Sequence, residues 1–224
     1  MTTKPKANLK DRSKSKVHTV YQMKNGTRVP GVTTIIGVLN KPALLDWAWK
    51  LGTEGIDFRT FRDAAASIGT LAHYLIMCDL SGQTPDMTEY SHQDIDLAQN
   101  CVKSWFSWKG QHEIDPILIE APLVSENGFG GTIDCYCRLD GKPTLLDFKT
   151  GKAIYPEYFY QLAAYKRLLY EHKHPVDQVR ILRIGRDADE GFEERTMTDL
   201  TLQLKMFSYC LGIYKLQRQI NGRK

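Results

Sequence analysis

The segment between residues 117 and 150 constrains the fold of this chain more than any other. It contains three runs that read as strands, at Ile117–Val124, Thr132–Leu139 and Thr144–Thr150. Asn127-Gly128 and Asp140-Gly141 separate them, and such pairs favour the tight turns that join neighbouring antiparallel strands. The segment therefore predicts an antiparallel meander of three strands.

Helical patterns dominate the chain before this meander, and helices and strands alternate after it. Helices are predicted from apolar spacing and from proline or turn residues at their ends, and strands from β-branched and aromatic runs. The predicted elements are a strand at Val17–Met23, a short helix capped by Thr33 or Thr34, a helix from Pro42, helices at Thr60–Leu80, His92–Trp108, Glu157–Tyr170 and Leu200–Gln219, and strands at Val176–Ile184 and Phe192–Met197. This order predicts an α/β fold with a mixed central sheet of about five strands, flanked by helices and preceded by a helical N-terminal portion.

The composition is that of an ordinary globular protein. The chain has 224 residues, of which 42% are hydrophobic and 25% charged. It has no apolar run of about 18 residues and no apolar segment typical of a signal peptide, so we expect a cytoplasmic protein with no membrane partner. The five cysteines contain no C-x-x-C pair, which predicts free thiols rather than a disulfide framework or an iron–sulfur cluster.

Positive charge is concentrated at the N-terminus. Residues 1–16 carry six basic side chains and one acidic one, whereas the rest of the chain carries 24 basic and 25 acidic side chains. This composition predicts a solvated, disordered tail at 1–16, followed by a single domain at 17–224. The tail could instead contact nucleic-acid phosphates without reading sequence.

Two acidic residues and a lysine lie on adjacent predicted strands. Side chains two apart in a strand share a face, so Asp147 and Lys149 should point the same way. If the preceding strand brings Asp134 beside them, two carboxylates and an ammonium converge. Carboxylates bind hard divalent cations, and a lysine can stabilise charge that develops on a phosphate.

The order of these motifs resembles that of the PD-(D/E)XK nuclease superfamily, whose fold is restriction-endonuclease-like. Ile133-Asp134 stands at the first motif of that family, and Asp147-Phe148-Lys149 stands at the second. Three further features are similar to the RecB-like exonuclease branch and its small phage-encoded members. They are Gly69-Thr70-Leu71-Ala72-His73 on an upstream helix, Glu120 at the end of the strand before the first motif, and Gln161-Leu162-Ala163-Ala164-Tyr165 on a downstream helix. The dispersed cysteines of iron–sulfur members of the branch have no counterpart here.

The resemblance implies a role for each of these residues. Asp134 and Asp147 would bind Mg²⁺ or Mn²⁺ with the backbone carbonyl of Phe148, and His73 would complete or border the coordination sphere. Lys149 would face the scissile phosphate and the attacking water. In addition, Glu120 would bind metal or order its water, and the residues expected to contact the DNA substrate are Thr150, Gln161 and Tyr165.

The resemblance also implies the activity, which is that of a metal-dependent deoxyribonuclease. We expect an exonuclease that acts on DNA ends or on single-stranded DNA. One alternative is a structure-selective endonuclease that cuts flaps or junctions, and another is a non-catalytic DNA-binding accessory protein in recombination or replication. The sequence leaves open the digestion polarity, the choice of DNA over RNA and the oligomeric state. Aromatic side chains of the helical portion are expected mainly in the core, with Trp108 the best candidate for an exposed one.

Overall fold

The computed structural model describes residues 19–187 and 189–222, so the predicted tail at 1–16 lies outside the described residues. Strand and helix boundaries agree with the sequence predictions to within a few residues, except at the N-terminus. In chain order the elements are β1 (Tyr21–Gln22), β2 (Arg28–Val29), α1 (Val32–Ile36), α2 (Pro42–Thr53), α3 (Phe58–Ser81), α4 (His92–Lys109), β3 (Ile114–Ser125), β4 (Phe129–Leu139), β5 (Lys142–Lys149), α5 (Pro156–Glu171), β6 (Gln178–Ile184), β7 (Phe192–Met197) and α6 (Thr201–Ile220).

The main sheet is mixed and has the strand order β3-β4-β5-β6-β7. Strands β3, β4 and β5 form the predicted antiparallel meander, while β5 and β6 run parallel. A parallel pair needs a long crossover connection, which α5 supplies. The predicted α/β architecture of five strands flanked by helices is confirmed, and it is consistent with a restriction-endonuclease-like fold.

Each face of the sheet has its own hydrophobic core. On one face, α3 and α4 pack against the sheet, and Trp105 contacts Phe148 edge-on with ring centroids 5.3 Å apart. On the other face, α1, α5 and α6 pack around Leu145, Tyr165 and Phe207. Helices cover both faces of the sheet, and the central strands β5 and β6 are therefore buried along almost their whole length.

The alternation of side chains changes phase at one point on β3 and β4. Residues two apart in a strand should face the same way, yet Ile133 packs into the α5 core and Cys135 into the α3–α4 core. The same change occurs between Ile119 and Ala121 on β3. The residue between Ile133 and Cys135 is Asp134, so the irregularity in the sheet falls at a candidate functional residue.

Two local predictions are wrong. The N-cap of α1 is Gly31, which makes no side-chain capping bond, so neither Thr33 nor Thr34 caps this helix. Trp108 is only 5% exposed, because its ring stacks on Trp105. In the described part of the chain no helix has the length and apolar character needed to cross a membrane.

Candidate active site

The candidate site lies where β4 and β5 separate. The pairing of β4 with β5 runs from Leu139 and Lys142 to Cys135 and Leu146. The next residues beyond this last pair are Asp134 on β4 and Asp147 on β5. Asp134 accepts a hydrogen bond through Oδ2 from the backbone N–H of Phe148, at 2.8 Å. The Asp134 side chain therefore takes the place of a ladder bond, which fixes its carboxylate beside β5.

Three side chains from three elements bring metal-type donor atoms together. One ligand atom each from His73, Glu120 and Asp134 lies within 4.8 Å of the other two. The imidazole Nδ1 of His73 is 3.7 Å from Oδ2 of Asp134, and both side chains are largely but not fully buried. The cluster is therefore reachable from solvent and rich in nitrogen and oxygen donors.

Close packing of α3 against the end of β5 places the histidine. Gly69 lies one turn before His73, and a Cβ atom at this position would come within 2.5 Å of Oγ1 of Thr150. Only glycine leaves the room that this contact requires. The predicted DNA-contacting residue Thr150 is thus a neighbour of α3 and lies immediately beyond the Asp147–Lys149 strand.

Glu120 lies inside β3 rather than at the end of a strand, because β3 continues to Ser125. Its φ angle is +48°, in the left-handed region that residues with a Cβ atom rarely adopt. Such a conformation costs on the order of 1 kcal/mol or more and is often found at functional sites. This strained backbone coincides with the phase change in the sheet and brings the carboxylate to His73 and Asp134.

Asp147 and Lys149 form a second part of the site. Asp147 is 1% exposed, and its carboxylate contacts the ammonium of Lys149. Among the described residues, neither carboxylate oxygen of Asp147 has a hydrogen-bonding partner of ordinary geometry. Burial raises the pKa of Asp147 to about 6, while the charge of Lys149 opposes that rise. Burial lowers the pKa of Lys149, but the neighbouring Asp147 and Asp134 outweigh it and leave the pKa raised.

The donor set fits a hard divalent cation. Carboxylate oxygens suit Mg²⁺ and Mn²⁺, and an imidazole is tolerated by Mn²⁺ better than by Mg²⁺. A buried carboxylate whose oxygens lack hydrogen bonds is the kind of group that a bound ion would satisfy. The structure brings His73, Glu120 and Asp134 into one cluster, whereas Asp147 is not part of that cluster and faces Lys149.

The downstream helix places its predicted residues on the same side as Asp147. Gln161 donates a hydrogen bond through Nε2 to the hydroxyl of Tyr165, at 2.8 Å. Tyr165 is buried against Gly131, and burial raises the pKa of its phenol well above the usual value. Gln161 is half-buried, so of the two it is the one with side-chain surface towards solvent.

One residue beside the site was missed from the sequence. Nζ of Lys149 lies 5.1 Å from the centroid of the Tyr158 ring, in the first turn of α5. An ammonium over an aromatic face is attracted by the ring quadrupole. The short loop between β5 and α5 could have indicated this contact, because it places the first turn of α5 close to the end of β5.

Comparison with known proteins gives distant structural likenesses only. No family model matches the chain, and no curated protein matches it. The crystal structure of SSO0001 aligns with a TM-score of 0.44 at 12% identity, over 92% of this chain and 84% of that one. An alkaline exonuclease, LHK-Exo from Laribacter hongkongensis, aligns with a TM-score of 0.35 at 13% identity, over 68% of this chain and 84% of that one. Both likenesses are too remote to assign a function.

Proposed function

We propose that this chain is a divalent-metal-dependent deoxyribonuclease that hydrolyses phosphodiester bonds, and that it acts as an exonuclease on DNA ends or single strands. The observation that carries the proposal is the cluster of His73, Glu120 and Asp134 beside the buried pair of Asp147 and Lys149. A metal held by nitrogen and oxygen donors, next to a lysine, can stabilise the charge that develops in phosphoryl transfer.

We assign the residues of the site two roles, metal binding and stabilisation of the phosphate. His73, Glu120 and Asp134 would hold Mg²⁺ or Mn²⁺, with Asp147 and the carbonyl of Phe148 as further ligands. When bound, the ion lowers the pKa of water and neutralises charge on the phosphoryl oxygens. Lys149 would hold its ammonium against the scissile phosphate and stabilise the charge that develops on it.

Residues around this centre would hold the strand. Gln161 would contact the DNA backbone through the part of its amide that faces solvent. Tyr165 would position Gln161 through their hydrogen bond, since its own ring is buried. Thr150, the residue directly after β5, would also contact the DNA backbone.

A cleavage assay on end-labelled DNA tests this function. Linear single strands and linear duplexes should be degraded with Mn²⁺ or Mg²⁺, and EDTA should stop the reaction. If neither form is degraded with any of several divalent metals while the protein still binds DNA, the chain is an accessory protein and the proposal is wrong.

Circular single-stranded DNA separates an exonuclease from an endonuclease. A circle has no end, so an exonuclease leaves it intact. Cleavage of the circle, or cleavage of a flap substrate at the flap junction, would show that the protein is a structure-selective endonuclease and not an exonuclease. The cytoplasm is the location that we propose for either activity.

A further inference from the structure

An aromatic cleft opens beside the candidate catalytic lysine. It has a volume of about 550 Å³ and lies between the start of α2, the start of α5 and the first half of α6. Its aromatic lining comes from Trp47, Tyr155, Tyr158 and Tyr160. Clefts of a few hundred Å³ with apolar walls are typical of small-ligand sites.

The cleft connects directly to the site through Tyr158. Tyr158 lines the cleft, and Nζ of Lys149 lies 5.1 Å from the centroid of its ring. The same residue therefore borders the cleft and contacts the lysine that would face the scissile phosphate. A nucleotide next to the cut is covalently linked to the phosphate that would face Lys149, so its base is a neighbour of the cleft.

The charges of the cleft suit an uncharged, flat group. Lys41 and Glu157 are its charged lining residues, and they form an ion pair at 3.3 Å, which leaves no net charge at the rim. A phosphate would gain nothing from such a rim, whereas a nucleobase presents a planar face that stacks on aromatic rings. Tyr155 is 41% exposed and packs edge-on against Tyr158, so its ring is available at the mouth.

We propose that this cleft holds one unpaired base of the DNA strand whose phosphate faces Lys149. The choice of DNA as ligand depends on the function proposed above. A paired base cannot enter a concave cleft without leaving its partner, so the site selects single strands and frayed ends over blunt duplex ends. Stacking makes the cleft tolerant of base identity, because every base has an aromatic face.

Tyr155→Ala tests the cleft without disturbing the fold. Tyr155 precedes α5 and makes no side-chain capping bond, so truncation leaves the helix start intact. Tyr155→Phe keeps the ring and should behave like the parent. Tyr170→Ala is the matched control, since Tyr170 lies near the other end of α5, is 69% exposed and does not line the cleft.

Binding is measured by fluorescence anisotropy in Ca²⁺, chosen to limit turnover. The probes are a short oligothymidylate, a base-free abasic strand of the same length and a blunt duplex. The parent should prefer the oligothymidylate, and Tyr155→Ala should weaken that affinity by about tenfold while leaving the abasic strand unchanged. Equal binding of all probes by the parent, or an equal loss on the strands with and without bases, overturns the proposal.

Cleavage in Mn²⁺ separates this proposal from the function itself. If DNA strands bind in a Tyr155-dependent way and none is hydrolysed, the deoxyribonuclease proposal is wrong and base binding in the cleft is supported. If DNA is hydrolysed and Tyr155→Ala cleaves single strands like the parent, base binding in the cleft is wrong and the deoxyribonuclease proposal is supported.

Discussion

Asp147 and Glu190 are the buried carboxylates among the described residues, and their ion pairs with Lys149 and Arg186 differ in hydrogen bonding. Glu190 accepts hydrogen bonds from the backbone N–H and Nε of Arg186, both at 2.9 Å, and its pKa is lowered chiefly by the Arg186 side chain. Asp147 contacts Lys149 but has no well-formed hydrogen bond within the described residues, and burial raises its pKa to about 6.

The difference distinguishes a structural pair from a candidate functional one. In the β6–β7 turn, Arg183 also donates to the carbonyl of Glu190, so the loop is held by a satisfied network. The Asp147 carboxylate is instead held in an environment that disfavours its charge. Strongly perturbed carboxylates beside a specific charge partner are typical of active sites.

The largest effect should follow from neutralising Asp147. Asp147→Asn should lower the rate of DNA cleavage on the order of 10³-fold, because it removes a charge needed to hold the metal and to balance Lys149. The measurement is the initial rate on end-labelled linear DNA in Mn²⁺. Glu190→Gln should retain the parental rate, and equal loss in the two variants would remove the distinction between the pairs.

A smaller effect is expected from removing the imidazole of the metal cluster. His73→Ala should weaken Mn²⁺ binding by at least about tenfold, which isothermal titration calorimetry can measure without any substrate. His112→Ala is the matched control, since His112 lies away from the cluster and bonds Asp140 at 2.7 Å. Unchanged Mn²⁺ affinity in His73→Ala would exclude this histidine from the site.

Loss of the ion pair between Arg186 and Glu190 should lower the stability of the fold. Glu190→Gln should reduce the free energy of unfolding by about 1–3 kcal/mol, because the charged acceptor of several nearly buried hydrogen bonds is lost. Urea unfolding followed by circular dichroism gives this value. No loss of stability would show that the Arg186 pair does not hold the β6–β7 turn.

The smallest effect concerns pH. The folded-state pKa of Glu190 lies below its ordinary value of 4.5, so its stabilising contribution is present above that pH and is lost as the pH falls through the folded pKa. The stability difference between the parent and Glu190→Gln should therefore shrink as the pH is lowered below 4.5. A difference that is constant down to the acid transition would contradict the assigned pKa shift.

The sequence predicted most of the fold because its signals are local. Strand β7 begins and ends where the pattern places it, at Phe192–Met197, and α2 begins at the predicted Pro42. Turn pairs and apolar alternation suffice for such boundaries, since they act within a few residues. The motif order likewise brought His73, Glu120 and Asp134 into one candidate site.

What the sequence could not give depends on contacts across the fold. Trp108 is buried between α4 and the sheet, where its indole N–H donates to Glu194 on β7, 86 positions away, at 2.8 Å. The left-handed backbone of Glu120 lies between Ile119 and Ala121, whose partners on β4 are Cys135 and Ile133, on either side of Asp134. The contact of Lys149 with the Tyr158 ring depends on how the β5–α5 loop returns the chain, and no pattern within β5 indicates it.

The central claim is that His73, Glu120 and Asp134 hold a divalent cation beside Asp147 and Lys149. The most direct measurement is anomalous X-ray diffraction from crystals soaked in Mn²⁺. The account predicts an anomalous peak within coordination distance of the three side chains, near the carboxylate of Asp147. A manganese peak elsewhere, with these side chains binding no metal, would contradict it.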